Sequence, residues 1–354
     1  MGINIGALLA SIIASYLMVN YGWYAPFAAT GIGTLIGLIT IISMRKRFGD
    51  HGLPPHPQRL KLRFVGITRE HWTYLVAIVV VIGVAWLLHV PSLLSQFYTV
   101  FGILVLIALI ALALHYKGEQ RHKLFALIIL ALVSVLFWAL YGQLYSSVTL
   151  FTDRVINRHI FGWNLPASAI IGIQSIFVIV LSAPMAQVWM KLEKHDKHLA
   201  TPYKFALALV LLGLSFILLK VGIVCSPDEK VNLLWVVLFY FVFSIGELAL
   251  SPIGLSMITM LAPKNLVGML MGVWFLSLSM GFALSAKLAN LSDIPRDATN
   301  ALLGDSHTYA HTFTIFGIGG IIVGALVLCC APFLTRLMDE HAHRAAVKAA
   351  GAKG

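Results

Sequence analysis

One acidic residue, Glu247, stands in the middle of a long apolar stretch of the sequence. A carboxylate at the centre of a membrane helix costs at least ~2.5 kcal/mol to insert, so it usually faces a cavity or a partner and marks a substrate or proton path. Ser251 follows four residues later and lies on the same helix face. Pro252 removes one backbone hydrogen bond, and Gly254 loosens the helix further. The pattern favours a movable site for a cationic group; the alternative is a structural Glu paired with a Lys or Arg of a neighbouring helix.

A second cluster of interest is aromatic and ends in an amide: the segment Phe137–Gln143 reads FWALYGQ. Aromatic side chains near the end of a membrane span normally belong to the interfacial belt, which is the simpler interpretation of Trp138 and Tyr141. Gln143 favours a more specific role, because an amide in that position needs a hydrogen-bond partner.

Isolated polar residues in other apolar stretches are further candidates. Asn4 stands between two isoleucines, and Gln174 and Ser175 are surrounded by aliphatic residues. Hydrogen bonds between membrane helices account for any one of them. A role in binding is the alternative.

The composition places most of the chain in a lipid bilayer. Of the 354 residues, 59% are hydrophobic and 11% are charged, more apolar surface than a water-soluble domain can bury. The formal net charge is +11, but the Lys and Arg residues fall between apolar blocks and form no single stripe. Nucleic-acid binding is therefore not predicted.

The sequence predicts neither a metal site nor an organic cofactor, and no enzymatic activity. Cys225, Cys329 and Cys330 lack metal-ligand spacing. His195 and His198 stand beside charged residues without a third ligand at useful spacing. Because no phosphate-binding loop or ATPase motif occurs, any pumping would have to run on an ion gradient.

Runs of about 20 apolar residues, the length that crosses a bilayer, recur along the whole chain. The predicted spans are residues 3–20, 24–44, 72–90, 97–115, 124–146, 167–190, 205–224, 232–258, 266–290 and 311–335. Most Lys and Arg residues lie in alternate loops, so the positive-inside rule places both termini in the cytoplasm. Gly33 and Gly37, like Gly320 and Gly324, have the small-xxx-small spacing that lets membrane helices pack closely.

Three motifs resemble the proton-dependent oligopeptide transporter (POT) family of the major facilitator superfamily. They are residues 4–7 with 22–27, which resemble the family's fifth helix and the start of its sixth; 137–143, which resemble the seventh; and 247–256 running into 261–263, which resemble the tenth. The resemblance implies an all-α polytopic membrane protein with a partial major facilitator fold of about ten transmembrane helices.

This resemblance also implies a division of the chain. The expected parts are a remnant of the N-terminal bundle (1–44), a cytoplasmic linker (45–71), two inserted helices (72–116), a C-terminal six-helix bundle (124–336) and a cytoplasmic tail (337–354). The opening span then corresponds to the family's fifth helix, and the first four helices have no counterpart.

The family's site residues are expected at matching positions. Glu247 would hold the amino terminus of a peptide, with Ser251 beside it, and Asn4 would bond the peptide backbone. Gln174 or Ser175 would supply a second polar contact, and the sequence does not choose between them. The side-chain pockets would be walled by aromatic residues, namely Trp138, Tyr141, Trp274 and Phe275.

The function implied by the resemblance is proton-coupled uptake of di- and tripeptides across the bacterial inner membrane, with the proton as coupling ion and in a truncated form of the transporter. Gly142 stands where the family often has an acid, which questions proton coupling at that position. The alternatives are a fragment that transports nothing, from a mis-started or decayed reading frame, and a half-transporter or scaffold that needs a separate N-terminal partner. The oligomeric state is left open.

Overall fold

A computed structural model describes residues 2–49, 57–160, 162–194, 199–227, 230–292 and 301–338. The helices are α1 (Gly2–Tyr21), α2 (Tyr24–Ser43), α3 (Pro57–Leu60), α4 (Arg69–Leu88), α5 (Pro91–His115), α6 (Gly118–Tyr141), α7 (Ser147–Arg154), α8 (Ala167–Ile170), α9 (Gly172–Lys194), α10 (Thr201–Val224), α11 (Leu234–Leu261), α12 (Val267–Ala289) and α13 (Ala301–Met338). Part of the predicted linker, 50–56, and nearly all of the predicted tail, 339–354, lie outside the described residues.

The remaining elements are short. Turns of 3₁₀ helix cover Arg45–Phe48, Gly142–Tyr145 and Asn290–Ser292. Two-residue strands pair antiparallel at Arg63–Phe64 with Ile67–Thr68 and at His159–Ile160 with Trp163–Asn164, and parallel at Ile156–Asn157 with Val231–Asn232.

The predicted number of spans is confirmed: among the described residues, ten helical segments are long and apolar enough to cross a membrane. The fifth runs over Gly118–Arg154 and the last over Ser306–Met338, so both exceed the predicted 124–146 and 311–335. An apolar run marks only the part of a helix that lies in hydrocarbon, whereas backbone hydrogen bonding continues beyond it. Sequence-based bounds were therefore too short at these ends.

The chain divides into two compact units, one formed by residues 1–16 with 104–354 and the other by 17–103. In the first unit α10 packs against α11 and α13, α6 against α12, and α9 against α11. Its core is rich in aromatic side chains that are fully buried, including Phe137, Phe216, Phe239, Phe243 and Phe313.

Close packing of α10 and α13 depends on glycine. A Cβ on Gly213 would lie 2.6 Å from the Gly317 carbonyl oxygen, and one on Gly324 would lie 2.6 Å from Val210 Cγ2. The Cβ of a residue at position 320 would approach the Gly213 Cα to 3.0 Å. The predicted packing role is confirmed for Gly320 and Gly324.

The second unit contains α2, α3 and α4. Its short strand pair is tied to α4 by the Trp72 indole, which donates a hydrogen bond to the Phe64 carbonyl at 2.9 Å. None of the described residues of α2 or α4 is buried. Gly33 and Gly37 have no described neighbour within 4 Å, so their predicted packing role stays a prediction.

Candidate binding site

Glu247 lies half-buried within α11, inside the first unit. Two neutral donors reach its carboxylate: the Gln174 amide from α9 donates to Oε2, and the Tyr141 hydroxyl from the end of α6 donates to Oε1 at 3.5 Å. No Lys, Arg or His of the described residues lies within 4.0 Å of the carboxylate. The carboxylate of Glu247 thus has hydrogen-bond donors around it but no positively charged partner among the described residues. A cation from outside the chain can therefore pair with its negative charge.

The Gln174 amide is held in this orientation by serines. Ser175 donates a hydrogen bond to Gln174 Oε1 at 3.5 Å, so that the Nε2 group points to Glu247. Ser244, on the helix that carries Glu247, donates to the Gln174 carbonyl at 3.4 Å. Of the two candidates that the sequence left open, Gln174 contacts the acid directly and Ser175 contacts Gln174.

Aromatic rings enclose Tyr141. Its ring centroid lies 5.0 Å from that of Trp138 and 5.3 Å from that of Phe243. The Trp138 indole is buried, and its Nε1 has no hydrogen-bond partner among the described residues. A buried donor without an acceptor costs about 1–3 kcal/mol. The Nε1–H group of Trp138 is therefore free to donate a hydrogen bond to a bound molecule.

Trp138 is positioned by the contact of α6 with α12. Ser134 and Ser277 hydroxyls meet at 2.7 Å across these helices. A Cβ on Gly281 would overlap the Trp138 side chain, so the glycine lets the two helices approach at this level. Small residues at helix contacts are the usual means of close packing in membranes.

The turn that follows α6 is fixed by a buried polar network around Gln143. Its Nε2 donates to the Ser285 carbonyl at 2.9 Å and to Ser285 Oγ at 2.8 Å, while its Oε1 accepts from Ser147 at 2.7 Å. Ser292 donates to Ser147 at 2.9 Å. The sequence indicated that Gln143 needs a partner; it gave no signal for Ser285, which is 142 positions away.

Gly142 belongs to the same contact. A Cβ at this position would lie 2.5 Å from Ser285 Oγ and 3.2 Å from Phe282. The space into which a side chain would extend is therefore already filled. Gly142, at the position where the resemblance implies that an acid is common, is thus packed against α12.

Three further predicted residues, Ser251, Trp274 and Phe275, lie on α11 and α12. Ser251 is half-buried, four residues after Glu247 on the same face of α11. Trp274 is buried and its ring covers Gly254, so closely that a Cβ there would overlap the indole. Phe275 is 57% exposed, and no ring contact joins it to the described aromatic residues around Tyr141.

Asn4 is half-buried on α1, and no hydrogen bond between described residues joins it to Glu247. Ser15 of this helix meets Ser168 at 2.7 Å, and a Cβ on Gly172 would lie 2.7 Å from Ser11 Oγ. Because Asn4 precedes Ser11 by seven residues, both occupy the same face of α1. That face packs against Gly172 at the start of α9. Gly172 is two residues before Gln174.

Comparisons with known proteins agree with this architecture. Residues 1–303 match the sequence profile of PTR2, the POT family. Dipeptide and tripeptide permease A of Erwinia pyrifoliae (strain DSM 12163 / CIP 106111 / Ep16/96) is 30% identical over 344 residues, which are 96% of this chain and 68% of the relative. The permease A of Escherichia coli (strain K12) is 29% identical, covering 99% of this chain and 68% of the relative. The chain thus spans about two thirds of the length of these relatives.

Solved structures show the same similarity. A mutant of peptide transporter POT in complex with alafosfalin superposes with a TM-score of 0.76 at 27% identity, covering 96% of this chain and 67% of that one. Peptide transporter POT in complex with sulfate gives a TM-score of 0.75 at 27% identity, with the same coverage. From the extent of the sequence match and this structural similarity, we conclude that the chain belongs to the POT family of transporters.

Proposed function

We propose that this chain takes part in the proton-coupled uptake of di- and tripeptides across the bacterial inner membrane, with both termini in the cytoplasm. The relatives named as dipeptide and tripeptide permeases support the substrate class. The chain spans about two thirds of the length of these permeases. We therefore propose for it the transport activity of the full-length relatives.

The observation that carries the proposal is the state of Glu247. A carboxylate inside a membrane helix, hydrogen-bonded by Gln174 and Tyr141 and without a counter-cation among the described residues, suits an ammonium group. The amino terminus of a peptide is such a group. A purely structural acid would be expected to pair with a Lys or Arg of a neighbouring helix.

The residues around the acid then have distinct roles. Ser251 would accept or donate a hydrogen bond beside the amino terminus, and Asn4 with Gln174 or Ser175 would bond the peptide backbone. Trp138, Tyr141, Trp274 and Phe275 would contact the peptide side chains; aromatic faces also favour a nearby ammonium group by cation–π attraction.

Coupling to protons follows because a proton and the ammonium group of a peptide compete for the Glu247 carboxylate. A protonated carboxylic acid has no charge with which to hold an ammonium group, whereas the carboxylate does. In transporters that work by alternating access, a site near the middle of the membrane is exposed to either side in turn. α11 is continuous through Pro252 and Gly254, and these two residues are the places where that helix can bend.

The test is uptake by the full chain reconstituted in proteoliposomes. With an inward proton gradient we expect a labelled dipeptide to accumulate, and a protonophore to abolish the accumulation. Absence of both specific binding and accumulation would contradict the proposed function.

A second candidate function is peptide binding without transport by this chain alone, as half of a carrier. One observation favours it: no described residue of α2 or α4 is buried. Saturable dipeptide binding without any accumulation above the protonophore-treated level would support this alternative.

A further inference from the structure

A β-hairpin with an apolar tip lies directly before α4, in the second unit. Phe64 pairs with Ile67 across the two strands, which leaves Val65 and Gly66 as the turn. Phe64 is 63% exposed and Val65 is 77% exposed. α4 is long and apolar enough to cross a membrane, and it begins at Arg69, next to the hairpin. The hairpin therefore lies where a membrane span meets the lipid headgroups.

The turn of this hairpin contains a residue type that fits its backbone poorly. The φ angle is 52° at Val65 and 79° at Gly66, and positive values at both positions are typical of a type I′ turn. Glycine adopts such angles freely, and Asn is also common there, whereas a β-branched residue is an outlier. Strained residues of this kind cluster at binding sites. Val65 thus indicates a role for an apolar side chain at the exposed tip, because the turn itself would favour Asn.

The hairpin is fixed to the first turns of α4. The Trp72 indole donates a hydrogen bond to the Phe64 carbonyl at 2.9 Å, and its ring meets the Phe64 ring edge-on with centroids 6.3 Å apart. The backbone N–H of Arg69 donates to the Leu62 carbonyl at 2.9 Å. These contacts hold the apolar tip at the end of the predicted span.

Basic side chains surround the hairpin without acidic partners. Four exposed basic residues lie within positions 57–72, which contain one acid, Glu70; they are Arg59, Lys61, Arg63 and Arg69. None of the four forms an ion pair with another described residue. Each Lys or Arg close to a membrane surface is attracted by anionic lipids, and apolar side chains beside it add to the binding by entering the headgroup layer.

We propose that this hairpin binds anionic phospholipids in the leaflet at which α4 begins. Phe64 and Val65 enter the boundary between the headgroups and the acyl chains. Arg63 and Arg69 pair with lipid phosphates, which match the forked donors of a guanidinium group. The proposal concerns the second unit alone and does not depend on peptide transport.

The test measures whether the tip contacts lipid and whether the contact depends on lipid charge. The full chain, with its three cysteines changed to Ser and with Ile67→Cys, carries a fluorescent nitrobenzoxadiazole label. Because Ile67 lies opposite Phe64, the label reports on the tip and leaves Phe64 and Val65 in place. The protein is reconstituted in phosphatidylcholine vesicles with increasing fractions of phosphatidylglycerol, and both lipids carry bromine on their acyl chains. We expect quenching by bromine to rise with the phosphatidylglycerol fraction and to saturate.

The role of charge is tested with substitutions in the labelled protein. Arg63→Gln should raise the phosphatidylglycerol fraction at half-maximal quenching by about fivefold, the contribution of one basic residue near an anionic surface. Arg63→Lys keeps the charge and should stay close to the unsubstituted protein. The matched control is Arg121→Gln, which removes an exposed arginine of α6 and should change nothing.

The role of the apolar tip is tested by Val65→Asn. Asn suits a positive φ better than Val, so the hairpin is kept while the apolar side chain is lost. We expect lower maximal quenching in this variant. Quenching that does not depend on phosphatidylglycerol, an unchanged half-maximal fraction in Arg63→Gln, or undiminished quenching in Val65→Asn would overturn the proposal.

Discussion

At the scale of residues, the site depends on how an acid is kept stable in a membrane helix. Glu247 could be predicted from the sequence, because an acid in an apolar run is costly and rare. Its partners could not. Gln174 and Tyr141 lie 73 and 106 positions away, so their contact with the acid depends on how α6, α9 and α11 pack. The sequence offered Gln174 and Ser175 as equals, and only the structure shows that Ser175 orients the Gln174 amide.

The role of Gln174 is tested by Gln174→Leu. Loss of the amide leaves one carboxylate oxygen without its donor, at a cost of about 1–3 kcal/mol when the acid is charged. We expect dipeptide binding to weaken by about tenfold, as measured by equilibrium binding of a labelled dipeptide. Gln187→Leu, at an exposed position of the same helix, should bind like the wild type. Equal weakening by the two substitutions would remove Gln174 from the site.

At the scale of elements, the helices were easier to predict than the contacts between them. Hydropathy predicts ten spans because every transmembrane helix must be apolar along most of its length. Small-residue spacing is a weaker signal: Gly320 and Gly324 pack against α10, whereas Gly33 and Gly37 have no described neighbour within 4 Å. The 3₁₀ turn after α6 was not predicted, because it depends on the distant Ser285.

The contact of α11 with α12 is tested by Gly254→Ala. The added methyl group overlaps the Trp274 ring, which must move or push the helices apart, and overpacking of this kind costs about 1–3 kcal/mol. We expect a lower unfolding temperature for the purified protein in detergent and weaker dipeptide binding. Gly272→Ala, on α12, introduces a methyl group with no neighbour within 4 Å and should change neither quantity. Unchanged stability of Gly254→Ala would show that Trp274 does not occupy this position.

At the scale of the whole molecule, charge distribution predicts orientation. Most basic loops fall on one side of the ten spans, so we propose that both termini lie in the cytoplasm and the loop after α10 outside. The division into two compact units could not be predicted in the same way, since it reflects which helices pack together and hydropathy carries no such information.

Orientation is tested by the exposed Cys225, which follows the last residue of α10. In a variant with Cys329→Ser and Cys330→Ser, Cys225 is the one remaining cysteine of the three in the sequence. A membrane-impermeant maleimide added to intact spheroplasts should label it if the loop faces outward, as we propose. A variant that also carries Cys225→Ser gives the background. Labelling only after the membrane is permeabilised would reverse the proposed orientation.

The central claim, that the Glu247 carboxylate holds the amino terminus of a peptide, is tested most directly by binding of a dipeptide with a free or an acetylated amino group. Wild-type protein should bind the free dipeptide at least about tenfold more tightly than the acetylated one, because only the former carries an ammonium group to pair with the acid. Glu247→Gln, which keeps the side-chain shape, should bind both dipeptides equally weakly. Equal binding of the two dipeptides by the wild type, or undiminished preference in Glu247→Gln, would contradict the claim.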